Sequence, residues 1–110
     1  MKVIETKKAP AAVGPYSQAI EINGFLYASG QIAIDPEVGK ITATDIEGQA
    51  EQCCKNVGAI LSAAGIEFSR VVKTTCFLAD IADFKKMASE RPKNFSYKIS
   101  ASLEFHKPFI

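Results

Sequence analysis

The sequence predicts a single α+β domain, because a β-hairpin near the start is followed by an amphipathic helix and a further apolar strand. At 110 residues the chain has the length of one domain. Short strands, the first near Val3, precede the helix, which gives the order β-β-β-α-β-α. This order favours a β-sheet with two helices packed on one of its faces.

The hairpin is the clearest local signal. Residues 16–23 are of mixed polarity and end in Asn23-Gly24, a dipeptide typical of a two-residue hairpin turn. Residues 25–34 are rich in aromatic and β-branched side chains and are predicted to form the partner strand. The aspartate, proline and glycine within residues 35–39 predict the next turn.

A long helix is predicted between Thr44 and Gly65. Thr44 and Glu47 have the spacing of a capping box, and Gly65 supplies the C-terminal stop. Gly48 and Gly58 each lower helix stability by up to ~1 kcal/mol relative to alanine, a cost that close packing of the helix on the sheet would explain. The apolar face repeats at spacings of three and four, through Ile46, Ala50, Cys53, Val57, Ile60, Leu61 and Ala64.

Three more elements are predicted after this helix. Residues 70–79 are apolar and β-branched, which favours a central strand, and residues 80–87 begin a second helix that Pro92 ends. Apolar and polar residues then alternate over residues 97–105, as in a half-buried strand that ends by Pro108. A frayed tail with a chance alternation is the alternative.

The composition indicates a globular protein and not a membrane-spanning one. The chain is 47% hydrophobic and 23% charged, as is typical of a globular protein. No run approaches the ~20 apolar residues of a membrane span, and the start lacks the apolar centre of a signal peptide, so we expect a cytoplasmic protein. Residues 1–84 carry a net charge of −3 and residues 85–110 one of +4. We expect no nucleic-acid partner, because no basic motif is interleaved with aromatic residues.

Common cofactor and metal motifs are absent from the sequence. Cys53, Cys54 and Cys76 have no zinc or redox spacing and are predicted to be buried structural thiols. The one histidine, His106, lies near the end of the chain, so a Ser-His-Asp triad is not expected. We therefore expect neither a cofactor nor a metal ion.

Polar side chains occupy hairpin positions where an ordinary core hairpin has valine or leucine. Tyr16 and Ser29 are predicted near the far ends of the paired strands, where both would line one cleft. Gly30 would let a ligand approach the backbone closely. A hairpin with a few solvated polar groups is the alternative. The full polar set is Tyr16, Ser17, Gln18, Ser29, Gly30 and Gln31.

The motifs GPYSQA, SGQI and VVKTTCFL followed by DF resemble the Rid family of reactive-intermediate deaminases, also called YjgF-like proteins. The resemblance covers residues 1–87. It implies a chorismate-mutase-like α+β fold, a homotrimer with three inter-subunit clefts, and cofactor-free hydrolysis of 2-imino acids to 2-oxo acids and ammonia. Such imines form when serine or threonine is dehydrated. The hairpin's polar residues, Gln18 among them, would then line the imine cleft.

The resemblance also implies roles for individual residues. Tyr16, Ser29 and Gly30 fall on the family's catalytic positions, and with Ile32 they are expected to bind substrate. An arginine in the family binds the substrate carboxylate, and Lys98 falls on its position. Lysine is a point charge and cannot make the two parallel bonds of a guanidinium group, so weaker carboxylate binding is expected.

Residues 88–110 depart from the family pattern, although the whole of residues 1–110 is interpreted as one domain. Ala88 stands where the family has asparagine, and the glutamate of the family's last strand has no counterpart. True divergence, truncation and a shifted reading frame all remain open as explanations.

Three functions follow from these observations. The first is imine deamination. The alternative is a non-catalytic family member that binds small carboxylic acids or protein partners in the same clefts, which the missing arginine and glutamate favour. RNA cleavage or translation inhibition ranks below both, because the sequence shows no acid–base pair suited to cleaving RNA.

Overall fold

Seven strands and two α-helices make up the part of the chain that the computed structural model describes, residues 1–89 and 101–105. The predicted α+β class is confirmed. No helix in these two ranges is long and apolar enough to cross a membrane. In chain order the elements are β1 Lys2–Ile4, β2 Ala19–Ile22, β3 Phe25–Ala28, β4 Ile34–Asp35, β5 Lys40–Ile41, α1 Ile46–Ala63, β6 Thr74–Leu78, α2 Phe84–Ser89 and β7 Ala101–Phe105.

The first three strands form an antiparallel sheet in the order β1-β2-β3. The predicted hairpin turn is confirmed, since Asn23 and Gly24 have φ values of 53° and 79°. Two successive positive φ angles are typical of a type I′ turn, whose twist matches that of the flanking strands. The turn sets the register, which pairs Ile22 with Phe25 and Ala19 with Ala28.

One face of this sheet packs against α1. Ile4 and Ala19 from the sheet, Ala9 from the following loop and Ile60 from α1 form the buried core cluster. Ile60 is fully buried, and α2 lies against α1. The predicted packing of helix on sheet therefore holds for the strands that carry the hairpin.

The opposite face of the sheet is apolar but exposed, and we call it the outer apolar face. It consists of Val3, Ile20, Ile22, Phe25 and Tyr27, which the register places on one side. The exposed fractions are 49% for Val3, 58% for Phe25 and 59% for Tyr27. A contiguous apolar patch of this kind is typical of an association surface.

The predicted strand over residues 25–34 is wrong in its second half. β3 ends at Ala28, and the next strand, β4, begins at Ile34 and pairs with β5 across the turn at residues 36–39. Side chains bind the backbone between them: the Ser29 hydroxyl donates to the carbonyl oxygen of Ser17, and the Asn56 amide donates to that of Ile32. Local β propensity was therefore overridden by contacts that come from elsewhere in the chain.

The helix α1 begins one residue later than the capping-box prediction. Its N-cap is Asp45, not Thr44, and the Asp45 carboxylate accepts a hydrogen bond of 3.0 Å from the Gly48 amide. A Cβ atom on Gly48 would lie 2.5 Å from that carboxylate oxygen. The glycine is therefore required by the Asp45 cap, and not by close packing of the helix on the sheet. A carboxylate at this position also interacts favourably with the helix dipole.

The predicted stop at Gly65 is confirmed. Gly65 has a φ of 71°, its amide donates to the carbonyl of Ser62, and the Ile66 amide donates to that of Leu61. This pair of bonds is the Schellman motif, which satisfies carbonyl groups left over at a helix end.

The predicted strand over residues 70–79 is shorter than expected. β6 covers only Thr74–Leu78, because Phe68–Arg70 form a 3-10 turn. A Cβ atom on Gly58 would lie 3.1 Å from the Phe68 ring, so this glycine makes room for the turn that follows the helix. The second helix is confirmed, with a 3-10 turn at Ile81–Asp83 before α2.

The alternating tail forms a strand over Ala101–Phe105. This strand, β7, pairs in parallel with β6, with Cys76 opposite Leu103. The frayed-tail alternative is therefore wrong for these five residues. Pro92, residues 97–100 with Lys98 among them, His106 and Pro108 lie outside the described residues.

We predict that Asp45→Ala lowers the free energy of unfolding by about 1 kcal/mol, because the Gly48 amide loses its cap. Thr44→Ala is the matched control, and we expect it to change stability by less than about 0.5 kcal/mol. Urea denaturation followed by circular dichroism measures both. A larger loss for Thr44→Ala than for Asp45→Ala would contradict the assigned cap.

Candidate active site

Ser29 lies directly after β3 and extends the hairpin register by one residue. Its backbone amide donates to the carbonyl oxygen of Gln18 at 2.9 Å, and its hydroxyl donates to that of Ser17 at 2.7 Å. The side chain is half-buried. Because the hydroxyl proton is used in this bond, the Ser29 oxygen meets a ligand as an acceptor.

Tyr16 lies at the same end of the hairpin, one residue before Ser17. Its backbone amide donates to the carbonyl oxygen of Gly14 at 2.8 Å, which makes a tight turn around Pro15. Half of the side chain, 51%, is exposed. Ser29 lies at the end of the hairpin remote from the Asn23-Gly24 turn, as predicted. The predicted strand over residues 16–23 is wrong in its first part, because β2 begins at Ala19 and Tyr16 precedes it.

Gly30 and Ile32 lie in the segment between β3 and β4. No atom comes within 4 Å of a Cβ atom built on Gly30, so the space beside its backbone is open. The Ile32 side chain is 59% exposed. Both residues are thus accessible to a small molecule, whereas Lys98 lies outside the described residues.

A shallow depression of about 290 Å³ lies on the hairpin beside Ser29. The paired residues Ala19 and Ala28 belong to its lining, although the side chain of Ala19 is buried in the core cluster. Its lining includes Ser17 and Ser29 as well as Ile20 and Tyr27, so it offers both polar and apolar contacts. Of the predicted site residues only Ser29 lines it, the full lining being Ser17, Ala19, Ile20, Tyr27, Ala28 and Ser29.

Gln18 does not line the cleft, contrary to the sequence prediction. It is only 4% exposed, and its amide nitrogen donates to the carbonyl oxygens of Thr6, Ala9 and Pro10 at 3.0, 3.3 and 2.8 Å. Its side-chain oxygen accepts a 2.7 Å bond from the Thr6 amide. Gln18 therefore fixes the loop after β1 against the start of β2.

Sequence reasoning missed Asn56, which is fully buried on α1. Its amide nitrogen donates to the carbonyl oxygens of Ile32 and Ile34 at 3.1 and 2.9 Å. The available signal was an amide side chain beside the predicted apolar face, next to Val57. A buried amide in such a place must find hydrogen-bond partners, but the sequence does not say where.

The cysteines are half-buried thiols, so the prediction that they are buried is wrong. Burial first, and then the neighbouring Cys54 and Cys76, raise the pKa of Cys53 to about 11, and burial raises the pKa of Cys76. Both thiols are protonated near neutral pH and are poor nucleophiles. Among residues 1–89 and 101–105, no group of histidine, cysteine, aspartate and glutamate side chains has an arrangement that would hold a metal ion.

Comparisons with known proteins give a consistent result. A family model described as Endoribonuclease L-PSP matches residues 6–101. Reactive Intermediate Deaminase A, chloroplastic, from Arabidopsis thaliana is 50% identical over 94 residues, which are 86% of this chain and 50% of that protein. The human 2-iminobutanoate/2-iminopropanoate deaminase is 44% identical over 108 residues, covering 91% of this chain and 79% of that protein. This chain therefore spans only half the length of the first relative.

Solved structures show the same fold. The crystal structure of Escherichia coli TdcF with bound serine aligns with a TM-score of 0.83 and 31% identity. The alignment covers 96% of this chain and 86% of the TdcF chain.

We predict that Gln18→Glu destabilises the protein by about 3 kcal/mol near pH 7, because an ionised carboxylate cannot donate to the three loop carbonyls. Burial among carbonyl oxygens would raise the pKa of the new acid in the folded state, so the loss should grow as the pH rises through that pKa and shrink as it falls.

Urea denaturation near pH 7 and near pH 5 measures this effect against the wild type. Gln31→Glu is the matched control, because the Gln31 amide is half-buried and makes longer bonds, of 3.2 and 3.4 Å, to its neighbours' carbonyls. Equal losses for the two variants would contradict the role assigned to Gln18.

Proposed function

The chain belongs to the Endoribonuclease L-PSP family, also called the Rid or YjgF-like family, and from this membership we propose that it hydrolyses small 2-imino acids to 2-oxo acids and ammonia. The observation that carries the proposal is the end of the β2–β3 hairpin. There Ser29 is held by two hydrogen bonds and is followed by Gly30, whose backbone borders open space. The half-exposed Tyr16 directly precedes Ser17, whose carbonyl accepts the Ser29 hydroxyl. Two relatives named for deamination of such species support the same assignment.

The reaction adds one water molecule across the C=N bond. The oxygen of water bonds to the imine carbon, the nitrogen receives protons and leaves as ammonia, and a 2-oxo acid remains. Catalysis then requires that water and a proton donor be held at the imine carbon. We assign the proton-delivering role to the hydroxyl of Tyr16. Ser29, whose own proton is donated to Ser17, would accept a hydrogen bond from the water or from the imine N–H.

The remaining contacts bind the substrate. Gly30 has open space beside it, which would let the substrate lie against the backbone. The exposed Ile32 side chain would contact the substrate's alkyl group. Lys98 would pair with the carboxylate as a point charge.

A non-catalytic carboxylate-binding protein is the second candidate. The hydroxyl of Ser29 donates to a backbone carbonyl and is not available as a donor, which limits it to orienting a ligand. The TdcF structure has a bound serine, itself a small carboxylic acid. Binding of such acids without turnover of imines would favour this candidate.

We also propose that three chains assemble, with clefts between neighbouring subunits. The outer apolar face supports this, because residues such as Phe25 and Tyr27 are more than half exposed in the single chain. A cytoplasmic location is part of the proposal. Recovery of the tagged protein in a membrane fraction would contradict that location.

We predict a particle of three times 11.9 kDa in sedimentation equilibrium. Phe25→Glu should shift the mass towards the single chain, since it puts a charge in the outer apolar face. Ser62→Glu, a substitution at an exposed position of α1, is the control and should leave the mass unchanged. A wild-type protein that sediments as a single chain would rule out the trimer.

A coupled assay tests the deaminase proposal. Threonine dehydratase generates 2-iminobutanoate, and semicarbazide traps whatever imine survives. We expect faster imine loss than in the enzyme-free control, a reduction of kcat/KM of about a hundredfold for Tyr16→Phe and of about tenfold for Ser29→Ala. Lys98→Met should raise KM by about tenfold, because the carboxylate loses its counter-charge.

Ser62→Ala is the matched serine control and should retain wild-type kinetics, since Ser62 is exposed on α1. A folded wild-type protein that does not accelerate imine loss would exclude deamination. A labelled RNA incubated with the same protein tests the activity that the family description names.

A further inference from the structure

The segment between β3 and β4 carries two of the proposed substrate contacts, Gly30 and Ile32. In the part of the chain that the structure describes, residues 29–33 belong to no strand. The two hydrogen bonds of Ser29 fix the start of this segment. Whatever holds its other end also determines where Gly30 and Ile32 lie.

Asn56 holds the other end. Its amide nitrogen donates to the carbonyl oxygens of Ile32 and Ile34, at 3.1 and 2.9 Å. Carbonyl groups two residues apart in extended backbone point to the same side, where a neighbouring strand would normally bind them. The side chain of Asn56 thus takes the place of a strand partner.

Gln52 fixes the orientation of the Asn56 amide. It lies one helical turn before Asn56 on α1, and its own amide nitrogen donates to the Asn56 oxygen at 2.9 Å. Because the oxygen is engaged there, the Asn56 nitrogen must face the β3–β4 segment. The described residues contain no buried side-chain polar atom without a hydrogen-bond partner, which agrees with this orientation.

The direction of the backbone decides which side chain reaches solvent. With the carbonyls of Ile32 and Ile34 turned towards α1, Ala33 is 5% exposed and Ile32 is 59% exposed. Without Asn56, the segment would be free to rotate these two side chains relative to Ser29. The position of Ile32 at the site therefore depends on a residue on the helix.

We propose that Asn56, oriented by Gln52, is a positioning residue that holds Gly30 and Ile32 in the geometry that imine substrates require. This inference rests on the proposed deaminase function. Asn56 acts through the backbone, since its hydrogen bonds go to Gln52, Ile32 and Ile34.

The test compares Asn56→Ala with Ile60→Val. Ile60 is equally buried, lies one turn further along α1 and packs in the core cluster with Ile4 and Ala19, so its truncation lowers stability without touching the β3–β4 segment. Kinetics are measured with 2-iminopropanoate and 2-iminobutanoate, at a temperature where circular dichroism shows both variants folded. Hydrogen exchange of the amides of residues 30–33 is measured in parallel.

We expect Asn56→Ala to lower kcat/KM by about tenfold or more, to change the ratio between the two imines and to speed exchange in residues 30–33. Ile60→Val should stay within about twofold of the wild type in kcat/KM, with unchanged exchange in that segment. The proposal is overturned if Asn56→Ala matches Ile60→Val in both measurements.

If Asn56→Ala does not fold, Gln52→Ala tests the proposal instead, because it removes only the hydrogen bond that orients the Asn56 amide. A loss of about threefold or more together with faster exchange in residues 30–33 supports the proposal, and wild-type values overturn it. If the wild-type protein itself has no activity, the proposed function fails separately. In that case exchange in residues 30–33 still shows whether Asn56 holds the segment, and unchanged exchange overturns the positioning role.

Discussion

The backbone between β3 and β4 leaves the sheet while remaining packed against the helix, and its carbonyl groups must still be hydrogen-bonded. Asn56 satisfies two of them from α1, and Ser29 binds back to Gln18 and Ser17 at the point where the ladder ends. An unsatisfied buried backbone group costs about 1–3 kcal/mol, which is a large fraction of the free energy of unfolding of a small domain. These bonds let an irregular segment persist beside a regular sheet.

This constraint explains the chemistry available at the site. A regular strand over residues 29–33 would engage its amides and carbonyls in the ladder, whereas the observed segment leaves open space beside Gly30 and exposes Ile32. Gln18 fixes the loop that leads towards Tyr16, since its side chain donates to three carbonyl oxygens of that loop and accepts a hydrogen bond from the Thr6 amide.

Sequence reasoning succeeded where structure is determined by neighbours in the chain. The Asn23-Gly24 turn and the Gly65 stop depend on local φ angles, and both are confirmed. The helix start was misplaced by one residue because Thr44 and Asp45 are both good caps, and only the geometry distinguishes them. The prediction for residues 25–34 failed because the contacts that hold residues 29–33 outside the sheet include those from Asn56, more than 20 residues away.

At the candidate site, too, the sequence did not reveal the contacts made between distant residues. Family resemblance supplied Tyr16, Ser29 and Gly30, but it did not separate residues facing a ligand from residues that hold the backbone. Gln18 was assigned to the cleft as one of the polar residues of the hairpin, yet its carboxamide is turned into the protein. An amide side chain is equally suited to either role, and the choice depends on tertiary partners that one sequence does not reveal.

The proposed site residues lie in two parts of the chain, one before Gly65 and one within the divergent residues 88–110. The backbone that carries Ser29, Gly30 and Ile32 is fixed by bonds among residues before Gly65, with Gln18, Ser29 and Asn56 as the anchors. The proposed partner of the carboxylate, Lys98, lies in the divergent part. A change there alters the charge that holds the substrate but leaves the anchors in place. Changes after residue 87 should therefore alter the charge that binds the carboxylate, and they account for the missing family glutamate, whereas the backbone geometry of Ser29, Gly30 and Ile32 should survive them.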